Sequence, residues 1–225
     1  MATRTSGEPR IPLSNERVLR AAIELADEGG LESLSMRRLG QRLGVEAMSL
    51  YNHVANKDDV LSGIVDLVVG EFSIPDDVSD WKAALRQIYT SANKVLTRHP
   101  WACTLMMTAS GVGPWRKRYM ESVLGALRQA GCSVELTHLG FHALDVHLLG
   151  YTIQVSSFRS LPEDLGEMGA RFLRDLPEDD YPFLAEHVRH HLEEDHGSEF
   201  WFGLELVLDG IERRRDAQAT PISPP

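Results

Sequence analysis

Cysteine is nearly absent from this chain of 225 residues: Cys103 and Cys132 are the only two, and they do not form a CxxC pair. That excludes a disulfide framework and makes a reduced cytoplasm the simplest compartment. Long apolar runs are missing too. Asp66, Asp145 and His147 interrupt the greasiest segments, so none reaches the roughly 20 residues that cross a bilayer. Met1 to Pro12 is polar and has no apolar core, so no signal peptide is expected. Positive charge is in short supply, with 23 Lys and Arg against 33 Asp and Glu and a formal charge of −10. This excludes broad, non-specific coating of nucleic acid, yet it permits a small basic face on an acidic body. There is no HExxH, no phosphate loop of the GxxxxGK type and no GxSxG nucleophile elbow, and no cofactor is expected. No internal repeat is visible. What remains, 43% hydrophobic and 25% charged residues, fits an ordinary water-soluble protein of one or two domains.

The organising stretch is Ser35 to Lys57, SMRRLGQRLGVEAMSLYNHVANK. At helical spacing Met36, Leu39 and Leu43 share one face, while Arg37, Arg38 and Arg42 face elsewhere. The Ser35 hydroxyl can take up an orphan backbone N–H at the helix start. Gly44 supplies the left-handed residue that ends the helix. A second short helix is expected over roughly Glu46 to His53, with Leu50 inward and Val45 at the turn. Gly40 faces that helix, where a missing side chain lets two axes approach. Two short helices joined by a glycine turn are the pattern of a helix-turn-helix, whose second helix enters the DNA major groove. Only Glu46 opposes Arg37, Arg38, Arg42 and Lys57, so the stretch is locally basic, and phosphate attraction supplies much of the affinity of a DNA-binding module.

From Ser14 to Phe72 the chain resembles the N-terminal domain of the TetR family of bacterial transcriptional regulators. Within it GVEAMSLYNHVANKDDVL is similar to the tetracycline repressor branch, and FWFGLELVLDGIERR near the C-terminus resembles that branch's last helix. The resemblance implies an all-α homodimer that binds a palindromic operator and is released by a small-molecule effector. It places DNA contacts at Arg37, Ala47, Met48, Ser49, Tyr51, Asn52, His53 and Lys57, with Arg38 counted beside Arg37. An arginine at position 37 can reach guanine O6 and N7 bidentately. Lys57, Tyr51 and Ser49 suit phosphates and so fix register, although core packing suits Tyr51 equally and His53 could simply cap its helix. Ala47 and Met48 can offer only apolar contact, for instance to a thymine methyl. The tetracycline repressor carries a bidentate amide and a proline there, so the operator sequence is expected to differ. That repressor also chelates a magnesium–drug complex through histidine and glutamate. The matching positions fall near Ser73, near Leu105 to Met107, at His147 and near Val155, and only His147 keeps a ligand. Magnesium–tetracycline is therefore not the expected effector.

The chain divides, on this reading, into a flexible arm over residues 1–13, a helix-turn-helix domain over 14–75, a helical effector-binding and dimerisation domain over 76–215 and a disordered tail over 216–225. Arg4 and Arg10 in the arm could touch a minor groove or phosphates, though a plain disordered tail explains them as well. A first helix is expected over Ser14 to Glu28, ended by Gly29 and Gly30. Asn56, with Asp59 three residues on, caps the helix that carries Val60, Ile64, Leu67, Val68 and Phe72. Further helices are expected over Trp81 to Thr97, Pro100 to Thr108, Trp115 to Ala130, Ser133 to Phe158, Pro182 to Glu194 and Ser198 to Arg214. Between them, Arg159 to Asp180 reads as a loop with at most one turn around Ala170 to Leu173. The Ser198 helix is apolar nearly all round and needs cover on every face. The Ser133 and Ser198 helices of two chains are thus expected to form a four-helix dimer interface, with Gly203 and Gly210 allowing close crossing.

For an effector cavity the candidates are Trp101, Met106, Met107, Trp115, His142, His147 and Tyr151, apolar groups with a few polar ones, all of which ordinary core packing could also explain. His138 with His142 and His187 with His191 are i,i+4 pairs, but no third ligand is fixed, so no metal site is assigned. Two other readings stay open: an all-helical enzyme using His142, Asp145 and His147, and a protein-interaction module built on the helix-turn-helix.

Overall fold

A computed structural model of the protein describes residues 12–159, 164–193 and 199–219. Those residues contain helices and no strand: α1 (Asn15–Ser33), α2 (Met36–Leu43), α3 (Ala47–Leu50), α4 (Lys57–Val69), α5 (Trp81–Arg98), α6 (Trp101–Thr108), α7 (Pro114–Gln129), α8 (Val134–Arg159), α9 (Leu165–Asp175), α10 (Pro182–Glu193) and α11 (Glu199–Ala219). They fall into two compact units. One takes the chain through Glu71 together with Trp101–Arg118, and the other takes Phe72–Pro100 and the chain from Tyr119 onward.

In the first unit the helix starts lie where hydroxyl and carboxamide side chains can satisfy orphan N–H groups. Ser14 accepts from the Arg17 amide at 3.2 Å, Ser35 from Arg38 at 3.2 Å and Asn56 from Asp59 at 2.8 Å. Asp59 answers by accepting from the Ala55 amide at 2.9 Å, a reciprocal box worth about 1 kcal/mol per cap. Val18, Ala22, Leu39, Leu50 and Ile64 are buried, and α1 packs against α2, α4 and α6. Each large aliphatic side chain so placed contributes about 1.5–3 kcal/mol. Gly29 and Gly30 break α1 as expected, Gly30 at φ +69°, but a helical turn then resumes to Ser33. The Ser33 hydroxyl donates to the Leu25 carbonyl at 2.7 Å and ties that turn back across the break.

In the second unit α8 packs on α5 and α11. Arg86 meets Glu205 with two bonds of 2.6 and 2.7 Å, and Lys82 donates to Asp209 at 2.8 Å and to Glu212 at 2.5 Å, so ion pairs lace α5 to α11. At its centre Tyr119 sits edge-on to Phe72 and Tyr89, with ring centroids 5.5 and 6.3 Å away. Both tyrosine hydroxyls donate to one oxygen of Asp145, at 2.9 Å from Tyr89 and 2.5 Å from Tyr119. Burial pushes the Asp145 carboxyl above its ordinary range against the pull of these two donors.

Three expectations need correction. The stretch expected as a loop between Arg159 and Asp180 contains the helix α9, capped by Asp164, which accepts from Gly166 at 2.8 Å and Glu167 at 3.2 Å. Its two glycines argue against a helix by intrinsic preference, but a Cβ at Gly169 would come within 2.7 Å of Leu192 on α10, so packing explains the residue. The last helix runs through Ala219 rather than ending near Arg214, which makes Asp216 helical. The second helix of the head is shorter than expected, four α-helical residues followed by hydrogen-bonded turns to Val54. Arg4 and Arg10, and residues 220–225, lie outside the described residues.

Candidate nucleic-acid interface

α2 and α3 pack against each other through a turn that only glycine accommodates. Gly44 has φ +68°, the left-handed region, and Val45 N donates back to the Gly40 carbonyl at 3.0 Å. A Cβ at Gly40 would lie 2.9 Å from the Val45 carbonyl oxygen and 3.1 Å from the Ala47 amide nitrogen, both backbone atoms. Leu39 and Leu50, fully buried, hold the inner faces of the two helices.

The outer surface of this motif is polar and open. Arg37, Arg38, Asn52 and Lys57 are exposed, Met48 is 75% exposed and Tyr51 44%, while Ala47, Ser49 and His53 are half-buried. Tyr51 therefore does not belong to the core. The first unit thus gathers all nine candidate DNA-binding residues on α2, α3 and the turns up to the start of α4. Arg42 is occupied differently: it pairs with Glu24 at 3.2 Å and with Glu28, whose carboxyl it holds below the usual range. The basic character of the motif is carried by Arg37, Arg38 and Lys57.

One positioning contact has no signature in the sequence. Asn15 Nδ2 donates to the His53 carbonyl at 2.9 Å, joining the start of α1 to the turn that follows α3. Residues 38 positions apart give no spacing cue. Asn15→Ala is expected to weaken DNA binding severalfold while lowering stability by only about 1 kcal/mol, as measured by anisotropy titration beside thermal melting.

The effector candidates are divided between the two units. Trp101, Met106, Met107 and Trp115 belong to the first unit, and His142, His147 and Tyr151 to the second. Trp101 is buried and donates its indole N–H to Asp27 at 2.7 Å. The Met106 carbonyl accepts from Arg116 at 2.8 Å, Met107 is 60% exposed, and Trp115 packs against Gly70. His142 is exposed and lies edge-on to His138 at 4.5 Å. His147 donates from Nε2 to the Phe200 carbonyl at 2.9 Å and stacks on the Phe200 ring, with Tyr151 5.3 Å from the same ring. Asp145 faces the two tyrosines, with His142 near enough to favour its charged form, while His147 faces α11. Among the described residues no three His, Cys, Asp or Glu side chains gather as a metal-holding group, and no helix is long and apolar enough to cross a membrane.

A helix-turn-helix head with a polar outer face, followed by a larger helical unit, defines the class as a DNA-binding protein. Comparison with known proteins makes the class specific. Residues 18–64 match the family described as "Bacterial regulatory proteins, tetR family", and residues 74–215 match "Tetracyclin repressor-like, C-terminal domain". The HTH-type transcriptional repressor DrrR1 of Streptomyces coeruleorubidus is 31% identical over 219 residues, which cover 93% of this chain and 81% of that protein. The class D tetracycline repressor protein of Escherichia coli is 26% identical over 206 residues, 89% of each chain. Among solved structures, ActR of Streptomyces coelicolor in complex with actinorhodin superimposes with a TM-score of 0.79 at 26% identity, over 91% of this chain and 99% of that one. The chain belongs to the TetR family of transcriptional regulators.

Proposed function

We propose that the protein is a cytoplasmic, homodimeric repressor, without enzymatic activity, that occupies a palindromic operator and leaves it when a small molecule binds the helical domain. The observation that carries this reading is the glycine-closed α2–α3 pair with Arg37, Arg38, Asn52 and Lys57 exposed on its outer side. In this reading residues 14–75 are the DNA-binding head and 76–215 the effector-binding and dimerisation domain. Arg37 reads a guanine, Lys57, Tyr51 and Ser49 fix register on phosphates, and Ala47 and Met48 meet apolar base edges.

Dimerisation is supported by the apolar stripe Leu139, Ala143, Val146, Gly150 and Ile153, which repeats at steps of three and four on α8 and is exposed, with Val146 at 71%. Phe202 and Leu206 on α11 are likewise exposed, whereas Phe200, Leu204, Leu208 and Ile211 of the same helix are buried. The greasy helix is thus covered on one face within the chain, and a second copy is the proposed cover for the other. For release, the effector must bind the DNA-incompetent state more tightly than the competent one. The repressor role and the DNA and effector partners are carried over from relatives such as DrrR1, named a repressor, and ActR, solved with actinorhodin.

A gel-shift assay with the DNA flanking the gene, against a scrambled duplex at the same salt, tests this function. Specific retardation is expected, and equal affinity for both duplexes would refute it. In the same assay Arg37→Ala is expected to cost about 1–3 kcal/mol of discrimination at a single base pair, with a smaller change in affinity for the scrambled duplex.

A further inference from the structure

The imidazoles of His138 and His142 stand exposed on α8, one turn apart, with ring centres 4.5 Å from each other. Residues four apart on a helix are surface neighbours, so the spacing puts two nitrogen donors side by side. Neither ring is tied elsewhere: among the described residues neither makes a hydrogen bond, and the two meet edge to face at 77°. Two imidazoles that each set a nitrogen about 2.0–2.1 Å from a shared ion have centres roughly 4.5–5 Å apart. The pair therefore needs only a turn of each ring about its last torsion, with no movement of the backbone. The other such pair, His187 and His191 on α10, is 6.2 Å apart, and His191 is engaged in a further interaction.

The surroundings of His142 give this pair what an isolated surface pair lacks. The buried ring of Phe141 lies 5.4 Å from the His142 ring. Asp145, three residues on, acts electrostatically on His142. Its Oδ1 takes both tyrosine hydroxyls, at 2.9 Å from Tyr89 and 2.5 Å from Tyr119, which fixes the carboxylate. Among the described residues Oδ2 accepts no hydrogen bond. A carboxylate so held can take one ring N–H of a metal-bound histidine, which sets the tautomer and strengthens the other nitrogen as a ligand.

The donors decide the ion. Imidazole suits Zn²⁺, Ni²⁺ and Cu²⁺, whereas Mg²⁺ and Ca²⁺ prefer oxygen. Among the described residues no third His, Cys, Asp or Glu gathers with the pair, so the chain supplies two ligands and water takes the other positions. We infer that His138 and His142 hold a divalent transition-metal ion of the zinc type, with Asp145 as the residue that positions His142. α8 belongs to the second unit, and the inference does not depend on the operator-binding reading.

The test titrates the full-length chain, free of any affinity tag, with Zn²⁺ against a chromophoric competitor, and with Cu²⁺ read by electron paramagnetic resonance. A Zn²⁺ site that Mg²⁺ does not compete for is expected, with two ring nitrogens on Cu²⁺. His138→Gln and His142→Gln, both at exposed positions, should each weaken Zn²⁺ about tenfold or more, and His187→Gln should leave it unchanged. Asp145→Asn should weaken Zn²⁺ about tenfold while Cu²⁺ keeps its two nitrogens, a split that a ligand's loss would not give. Zn²⁺ should also raise the melting temperature of the native protein and fail to raise that of His142→Gln, whose melting without metal should match the native. Native protein that binds no Zn²⁺, or His142→Gln that binds it as the native does, overturns the site. Zn²⁺ lost in His187→Gln instead would move the ion to α10 and overturn it as well. Asp145→Asn that folds and binds Zn²⁺ at native affinity would remove the positioning role.

Discussion

Asp66→Ala is expected to lower the stability of the protein by about 3–5 kcal/mol, the cost of stripping the carboxylate from a buried charged network. Asp66 lies on α4 and is buried, yet it is the cap of another helix: its Oδ1 accepts from the Arg116 amide at 2.9 Å and its Oδ2 from the Trp115 amide at 3.4 Å. The carboxylate faces the positive end of the α7 backbone and satisfies two of its orphan donors. Its negative charge also favours the neighbouring Arg116 guanidinium, which is itself buried and donates to the Gly111 and Met106 carbonyls at 2.8 Å each. Gly113 lies so close that a Cβ there would overlap the Asp66 carboxylate. Removing the side chain leaves two amides unpaired and a buried cation without its counter-charge. In a chain of this length, about 2–4 °C is lost for each kcal/mol, so the melting temperature should fall by roughly 10 °C in a calorimetric scan. Asp66→Asn, which keeps one acceptor, should fall by less. Equal melting of Asp66→Ala and the native protein would show that the α4–α7 clamp contributes nothing.

The second large effect is expected at Gly40. Gly40→Ala adds one methyl group, normally a small gain inside a helix. Here that methyl would press on the Val45 carbonyl and the Ala47 amide at 2.9 and 3.1 Å. Backbone cannot rotate away as a side chain can, so α2 and α3 must separate by a few tenths of an ångström. Such overpacking costs about 1–3 kcal/mol. The consequence for function should exceed that for folding, because base-edge contacts tolerate little displacement. Operator affinity should drop about tenfold or more, the worth of a well-made base contact, while the second unit keeps its structure. Gly44→Ala is a useful companion, since strain there comes from φ +68° and not from a neighbour.

Local chemistry explains what could be read from the residues alone. Ser35, Gly44, Asn56, Asp59 and Ser133 act within three or four residues of themselves, so their roles as caps and stops follow from spacing. Gly40 was legible because the turn it faces is only five residues away. The rest depends on pairings across long separations. Trp101 bonds Asp27, 74 residues earlier, and His147 bonds Phe200, 53 residues later. α9 escaped because Gly166 and Gly169 weaken the helical signal, and the reason for Gly169 is a leucine on α10.

Hydroxyl-radical footprinting of the full-length protein on the DNA flanking its gene tests the central reading most directly. Two protected patches related by a two-fold axis, with centres about 34–36 Å apart or a multiple of that distance, are expected, and Arg37→Ala should remove both at protein concentrations where the native protein protects them. Even protection along the duplex, or a single patch unaffected by Arg37→Ala, would contradict it.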